Sequence, residues 1–277
     1  GEGSATSYIE QMSGGASTLM VTMYGDVWTA PQSEGHWGAD SSDERDIGAT
    51  ALVEEACKAM LEGQDLSKWD FNGDGAIDRL LILHSGRAQE TGGGANTLWS
   101  HMSWLDEPLS FDDWSVNHYT IASLDSGIGT VVHEMLHQMG ALDLYDVHSV
   151  LPSSNWNGLG DWDIMASGNW NGNGNIPALP GSATLELIGA DRSTVVDPLV
   201  GGSFEMSPIS AGGRPLSIEL APGETLWVTF RGDAGFDAAL PGHGILVEHQ
   251  DENNGNSFDN LVNTDPDTAW VKIIEAD

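Results

Sequence analysis

Basic residues, cysteine and long apolar runs are all scarce in this chain of 277 residues. Nine lysines and arginines stand against 42 aspartates and glutamates, a formal charge of −33, which argues against nucleic acid or an anionic membrane as a partner. No run of about eighteen apolar residues occurs, so no membrane span is predicted. The single cysteine, Cys57, excludes an intrachain disulfide and a thiolate metal site. The charge is typical of a marine, halophilic or calcium-dependent protein, or of a merely acidic secreted one.

The most informative stretch runs from residue 132 to 143 and contains the pattern His-Glu-x-x-His. On a helix, His133 and His137 project from the same face, so their imidazoles can converge on one metal ion. Glu134 then points beside the metal, where it can act as the general base on a zinc-bound water. The alternative is an ordinary amphipathic helix with histidines on its surface.

Gly140 follows His137 by three residues, where a helix ends if a residue adopts the left-handed conformation. A sharp turn there returns Asp143 to the place of a third ligand and leaves a fourth position open for water. The extended pattern H-E-x-x-H-x-x-G-x-x-D arises by chance far less often than its first five residues do. The sequence therefore predicts a zinc site made by His133, His137 and Asp143.

A second element, residues 160–168, contains Met165. It resembles the Met-turn of metzincin-type proteases, in which a methionine forms an apolar floor beneath the zinc ligands; an ordinary core methionine is the alternative. Tyr145 and His148 follow the zinc motif closely. Either side chain can donate a hydrogen bond to the oxyanion of a tetrahedral intermediate, or can orient a zinc ligand.

Residues 70–78 predict a calcium loop that leads into a strand. Oxygen-bearing side chains occupy its first, third, fifth and ninth positions, and a backbone carbonyl is available at the seventh: Asp70, Asn72, Asp74, Asp78 and Ala76. Leu81 stands where an EF-hand has a bidentate glutamate, so the loop is not an EF-hand. An unoccupied Asx-rich turn is the alternative, and calcium-dependent melting separates the two.

Together these motifs resemble the catalytic domain of the immune inhibitor A family of secreted zinc metallopeptidases. The resemblance covers nearly the whole chain and rests on five segments, residues 70–101, 133–146, 162–170, 231–249 and 274–277. It implies an α+β, metzincin-like fold with a mixed sheet, an active-site helix and a Met-turn. It also implies an opening strand before residues 7–10, and the lack of an initiator methionine and of a signal segment is typical of a mature or excised domain.

Hydrophobic periodicity predicts helices over residues 7–12, 46–61 and 184–188, besides the zinc helix, with Cys57 as a small buried side chain. Strands are expected over 80–83 and 116–124, and a strand or hairpin over 18–28. A β-rich portion follows, with strands at 203–206, 216–220, 225–230, 245–249 and 270–274. We therefore expect a catalytic domain over residues 1–190 and a β-rich portion over 191–277 packed on it. His101 is open to a role at the cleft or in the structure.

The function predicted from these features is a secreted, monomeric zinc endopeptidase that cleaves protein or peptide substrates and also binds calcium. The alternative from another class is a calcium-dependent binding or adhesion module on an inactive protease fold. The complete set of ligands together with Glu134 argues against that module, which has no need of a general base. Zinc hydrolysis of a non-peptide amide is a nearer rival that only substrate profiling separates.

Overall fold

The computed structural model describes residues 3–42, 44–111, 113–149 and 151–275. The chain divides into two compact units, one formed by Gly1–Met20 with Met139–Asp277 and the other by Val21–Gln138. The limit expected for the catalytic domain, residue 190, lies inside the first of these units and stays a prediction. Ala276 and Asp277, at the end of the last segment that carries the family resemblance, lie outside the described residues.

The described chain has a mixed α+β fold, as the sequence predicts. Its α-helices are α1 (Ala5–Met12), α2 (Glu34–Trp37), α3 (Ala49–Leu61), α4 (Gly127–His137) and α5 (Ser182–Leu187). Short 3-10 helices lie at Ser67–Trp69, Gly160–Trp162, Ser167–Trp170, Ile209–Ala211 and Gly235–Ala239. Among the described residues no helix is both long enough and apolar enough to span a membrane.

The unit formed by residues 21–138 contains a three-stranded mixed sheet in the order β1 (Leu81–His84), β3 (Trp114–Ser123), β2 (His101–Phe111). Strand β1 runs parallel to β3, and β2 pairs with β3 in an antiparallel hairpin. The strands expected at 80–83 and 116–124 are confirmed, whereas β2 was not predicted. Its register shifts between Trp104 and Leu109, a stretch that contains Pro108. Proline is tolerated at such an irregular sheet edge, but it obscures the strand in the sequence.

Helix α3 supplies the centre of the core in this unit. Leu52, Val53, Cys57 and Leu61 lie on one face of it and are almost fully buried. They pack with residues of the sheet such as Ile121. The expected burial of Cys57 is confirmed, and burial raises the pKa of its thiol to about 12. This cysteine is therefore a packing residue and not a reactive thiol.

Two strand predictions are wrong. Residues 18–28 form no strand, and Met20, Met23 and Val27 are 75%, 81% and 95% exposed, although Tyr24 and Trp28 pack against the core. Residues 203–206 are likewise outside any strand. An alternating pattern gives a strand only where a neighbouring strand can pair with its backbone, and the described residues offer no such pairing at either segment.

The unit formed by residues 1–20 and 139–277 contains a five-stranded sheet. Its order is β4 (Thr194–Val195), β5 (Leu216–Ala221), β6 (Glu224–Arg231), β7 (Gly244–Asp251) and β8 (Val271–Ile273), parallel between β4 and β5 and antiparallel elsewhere. Four of these strands confirm predictions, while β4 was not expected. Charged residues occupy buried positions on β6 and β7, where Arg231 is 0% and Glu248 is 1% exposed. Such burial requires partners: Arg231 pairs with Asp237, and the Ser182 N–H donates to the Glu248 carboxylate.

Candidate metal centre

Helix α4 carries both histidines and is held firmly against the sheet of its own unit. Val132 on its inner face is fully buried. The hydroxyl of Thr120, on β3, donates a hydrogen bond to the Glu134 carbonyl at 3.2 Å. The side-chain amide of Gln138, at the end of the helix, donates to the Leu80 carbonyl at 2.9 Å. These contacts fix the rotation of the helix and hence the direction of its side chains.

The two imidazoles lie side by side on one face of α4. The Nε2 atoms of His133 and His137 are 3.2 Å apart, and the ring centroids are separated by 4.9 Å with the planes nearly perpendicular. His133 and Glu134 are buried, at 5% and 8% exposed. Two imidazole nitrogens this close together can share one cation, and the neighbouring carboxylate of Glu134 is shielded from bulk water.

Helix α4 ends at His137, and the chain then turns at Gly140. The glycine has a φ of +95°, and a Cβ added there would meet no heavy atom within 4 Å. Backbone conformation, and not lack of space, therefore requires glycine at this position. One ligand atom from each of His133, His137 and Asp143 lies within 4.8 Å of the other two. Two imidazoles and a carboxylate are a donor set that zinc favours, so these residues fit a zinc ion.

Asp143 and the residue after it are held by partners far away in the sequence. The side-chain amide of Asn260 makes two 2.7 Å hydrogen bonds to Asp143, one to its backbone and one to its carboxylate. The Leu144 N–H donates to the Met165 carbonyl at 2.7 Å, and the Asn263 amide donates to the Leu144 carbonyl at 3.4 Å. Sequence reasoning missed both asparagines, because no local pattern marks them.

Met165 lies in a tight turn and is fully buried. Its N–H donates to the Asp163 carboxylate at 2.7 Å, while the N–H groups of Ala166 and Gly168 both donate to the Asp163 carbonyl at 3.0 Å. Asp163 thus closes the turn with its side chain and its backbone. The Met-turn role of Met165 stays a prediction.

The carboxylate of Asp163 belongs to a buried charged cluster that the sequence analysis did not foresee. Both this carboxylate and that of Glu248 lie close to Gly181, since a Cβ on Gly181 would be 2.8 Å from Asp163 Oδ2 and 2.3 Å from Glu248 Oε1. Burial raises the pKa of both carboxyls above the ordinary range. The cluster is compensated by Arg231, whose guanidinium pairs with Asp237 through two bonds of 2.9 and 2.7 Å.

Tyr145 and His148 differ in their surroundings. Tyr145 is half-buried and lines a cavity of about 310 Å³ together with Pro152 and Trp156. His148 is exposed, and its backbone N–H donates to the Asp146 carboxylate at 3.2 Å. Of the two, Tyr145 has the setting of a side chain that can contact a substrate.

His101 has structural neighbours in its own unit. One ring nitrogen lies 2.8 Å from the Trp99 carbonyl and the other lies 3.0 Å from the Tyr119 hydroxyl. The buried carboxyl of Asp46 accepts the Trp99 N–H at 2.7 Å, and burial raises its pKa to about 6. These contacts favour the structural role that the sequence left open for His101.

The loop at residues 70–78 closes on its own backbone. Asp70 accepts hydrogen bonds from the N–H groups of Gly73, Asp74 and Gly75 at 2.6, 3.1 and 3.0 Å. Gly75 has a φ of +82°, a left-handed conformation that glycine adopts readily in a tight turn. The carboxylates therefore follow one another around a turn, and calcium binding by this loop stays a prediction.

Comparison with known proteins places the chain among peptidases. A sequence model of the family described as immune inhibitor A peptidase M6, catalytic domain, matches residues 3–184. Immune inhibitor A of Bacillus thuringiensis subsp. alesti is 32% identical over 198 residues, which cover 57% of this chain and 27% of that protein. Pre-pro-metalloprotease PrtV of Vibrio cholerae serotype O1 (strain M66-2) is 28% identical over 193 residues, covering 54% and 21%. The chain thus spans about a quarter of the length of these relatives.

Proposed function

The chain belongs to the immune inhibitor A family of M6 peptidases, and on this premise we propose that it is a zinc-dependent endopeptidase acting on protein substrates. One observation carries the proposal. The ligand atoms of His133, His137 and Asp143 converge within 4.8 Å, and the adjoining residue Glu134 is a buried carboxylate. Membership of the family indicates the class of reaction, and the set of two imidazoles and one carboxylate indicates zinc as the metal.

Zinc bound by these residues would acidify a water molecule and polarise the scissile carbonyl. Glu134 takes a proton from the attacking water and later delivers it to the leaving amine. The hydrogen bond from Thr120 to the Glu134 carbonyl keeps that part of the helix in place. Asp143 would give the bound metal a negative charge that a third histidine would not, so the metal would acidify water less strongly and Glu134 would carry more of the proton transfer.

Two further residues have proposed roles at this site. The Met165 side chain serves as an apolar floor of the Met-turn type, which its complete burial and its carbonyl contact with Leu144, next to Asp143, support. The Tyr145 hydroxyl donates a hydrogen bond to the oxyanion, which its place on the wall of a cavity supports. His148 is the weaker candidate for that role because it is exposed.

Calcium, secretion and domain limits complete the proposal. Calcium binds the loop at residues 70–78, whose oxygen-bearing side chains follow the order of a calcium loop. The protein acts outside the cell, a proposal that the description of one relative as a pre-pro-metalloprotease supports. The catalytic domain extends to residue 190, close to residue 184 where the family match ends, and the β-rich portion follows.

The test is proteolysis of casein in calcium and moderate salt by untreated, chelated and zinc-restored protein. Glu134→Ala should keep zinc and lose nearly all turnover, since only the general base is removed. His137→Ala and Asp143→Ala should lose zinc as well as activity. Glu62→Ala is the matched control, because that glutamate is exposed at the end of α3.

Two results would contradict the proposal. Activity retained by a folded Glu134→Ala protein would rule out the general-base mechanism. Failure of the folded, zinc-loaded protein to cleave any protein substrate would favour a binding module, and a panel of non-peptide amides run beside it separates proteolysis from other amide hydrolysis.

A further inference from the structure

We propose that Asn260 is a positioning residue for Asp143, the third metal ligand, an inference that rests on the proposed function. Asn260 Oδ1 accepts the Asp143 N–H at 2.7 Å. Asn260 Nδ2 donates to Asp143 Oδ2, also at 2.7 Å. One amide thus holds both the backbone and the carboxylate of the same residue, although 117 positions separate the two in sequence.

The chemistry of the amide suits this double contact. Asparagine carries an acceptor and a donor in one rigid plane, whereas aspartate has no donor to offer a carboxylate. The bond to Oδ2 restricts rotation of the Asp143 carboxyl, and the bond to the N–H fixes the backbone from which it projects. A ligand whose orientation is set before the metal arrives loses less freedom on binding, which is why hydrogen bonds to metal ligands influence affinity.

Asn260 is itself held by a closed loop. The N–H of Asn256 donates to the Leu261 carbonyl at 3.0 Å, and the Leu261 N–H donates back at 2.9 Å. The Asn256 side chain also accepts the N–H groups of Phe258 and Asp259, at 3.1 and 3.2 Å. Asn260 has a φ of +56°, a left-handed conformation that asparagine adopts more readily than most residues. The loop therefore presents the amide in a fixed direction.

The end of the loop is anchored in the sheet. Asn263 is fully buried, donates to the Val271 carbonyl at 2.9 Å and accepts the Val271 N–H at 3.1 Å. Its amide also donates to the Leu144 carbonyl. Asn260 and Asn263 therefore hold two consecutive residues, Asp143 and Leu144. Strand β8, which begins at Val271, is thereby linked to the metal ligand through side-chain amides.

The test compares Asn260→Gly with Asn173→Gly. Both asparagines have a φ of +56°, but Asn173 is exposed. Glycine therefore relieves the same backbone strain at each position and removes the Asp143 contacts only at Asn260. Zinc affinity is measured by competition with a chromophoric chelator, and the visible spectrum of the cobalt-substituted protein reports on the ligand sphere. We expect zinc binding about 10- to 100-fold weaker in Asn260→Gly, with an altered cobalt spectrum, and no change in the control.

A second pair, Asn260→Ala and Asn173→Ala, repeats the comparison with equal backbone strain at both positions. A folded Asn260 variant that binds zinc within about threefold of the wild type would overturn the inference, since removal of such a contact typically costs about tenfold or more. Loss of the fold in both Asn260 variants but in neither Asn173 variant would also overturn it, because Asn260 would then be a folding residue. Zinc binding that does not depend on His133 refutes the proposed function instead, so the two failures are distinguishable.

Discussion

Replacing Arg231 with methionine tests the buried charged cluster beside the Met165 turn. The guanidinium is 0% exposed and donates four hydrogen bonds, two to the Asp237 carboxylate and two to backbone carbonyls, those of Trp162 and Leu179. Methionine fills part of the volume but leaves Asp237, which is 1% exposed, without its ion partner. Loss of one partner from a buried pair costs about 3–5 kcal/mol, so we expect a loss of that size at pH 7.

Protonation limits the loss at lower pH. Without Arg231, the pKa values of the Asp163 and Glu248 carboxyls rise further in the folded protein, because burial opposes their ionisation and the guanidinium charge that lowers both pKa values is lost. A folded-state pKa that is raised favours folding as the pH falls, since the folded protein then binds the proton more tightly than the unfolded chain. The difference between Arg231→Met and the wild type should therefore be smaller at pH 5 than at pH 7.

Urea denaturation followed by tryptophan fluorescence measures these free energies of unfolding. Arg214→Met, at an exposed arginine, is the control and should change stability by less than about 0.5 kcal/mol. The double variant Arg231→Met with Asp237→Leu should be less destabilised than the sum of the single variants, because the Asp237 carboxylate is no longer left without its ion partner. A loss below about 1 kcal/mol for Arg231→Met, or strict additivity in the double variant, would refute the reasoning.

Three other predictions concern separate parts of the chain. Burial raises the pKa of Asp46 to about 6, so ionisation of this carboxyl lowers the free energy of unfolding as the pH rises from about 4 to about 6. Urea denaturation of Asp46→Asn should show a decline over that range that is smaller by about 2–3 kcal/mol. Gly140→Ala and Gly63→Ala each force alanine to a positive φ in open space and should each cost about 1–2 kcal/mol, but zinc titration should show weaker binding only for Gly140→Ala. Asp74→Asn should abolish a calcium-dependent rise in melting temperature, whereas Asp265→Asn, at an exposed residue, should keep it.

Local sequence was sufficient for the parts of the site that depend on helix geometry. The spacing of His133 and His137 places both on one face of any helix, and Gly140 could be read as a left-handed turn because few residues other than glycine adopt that conformation. The family resemblance built on these residues is confirmed by the match to residues 3–184. The strands with regular alternation, such as β6 and β7, were also predictable, because each carries its pattern within its own residues.

The failures have a common cause, which is dependence on a partner elsewhere in the chain. Residues 18–28 alternate like a strand but have no strand beside them among the described residues, and β2 is a strand despite Pro108 because β3 lies alongside it. An alternating pattern of side chains indicates a preference for strand structure, but a strand forms only where another strand can pair with it.

The same dependence separates the metal ligands from the residues that orient them. His133, His137 and Asp143 fall within eleven residues, so selection for one site leaves a compact motif. Asn260 lies 117 positions beyond Asp143 in a polar, acidic stretch that reads as an ordinary solvated loop. Its role depends on a left-handed backbone and a closed loop, and the surrounding sequence predicts neither of them. A motif search therefore finds the groups that bind a metal but not those that hold them in place, and the latter must be found from hydrogen bonds in the folded structure.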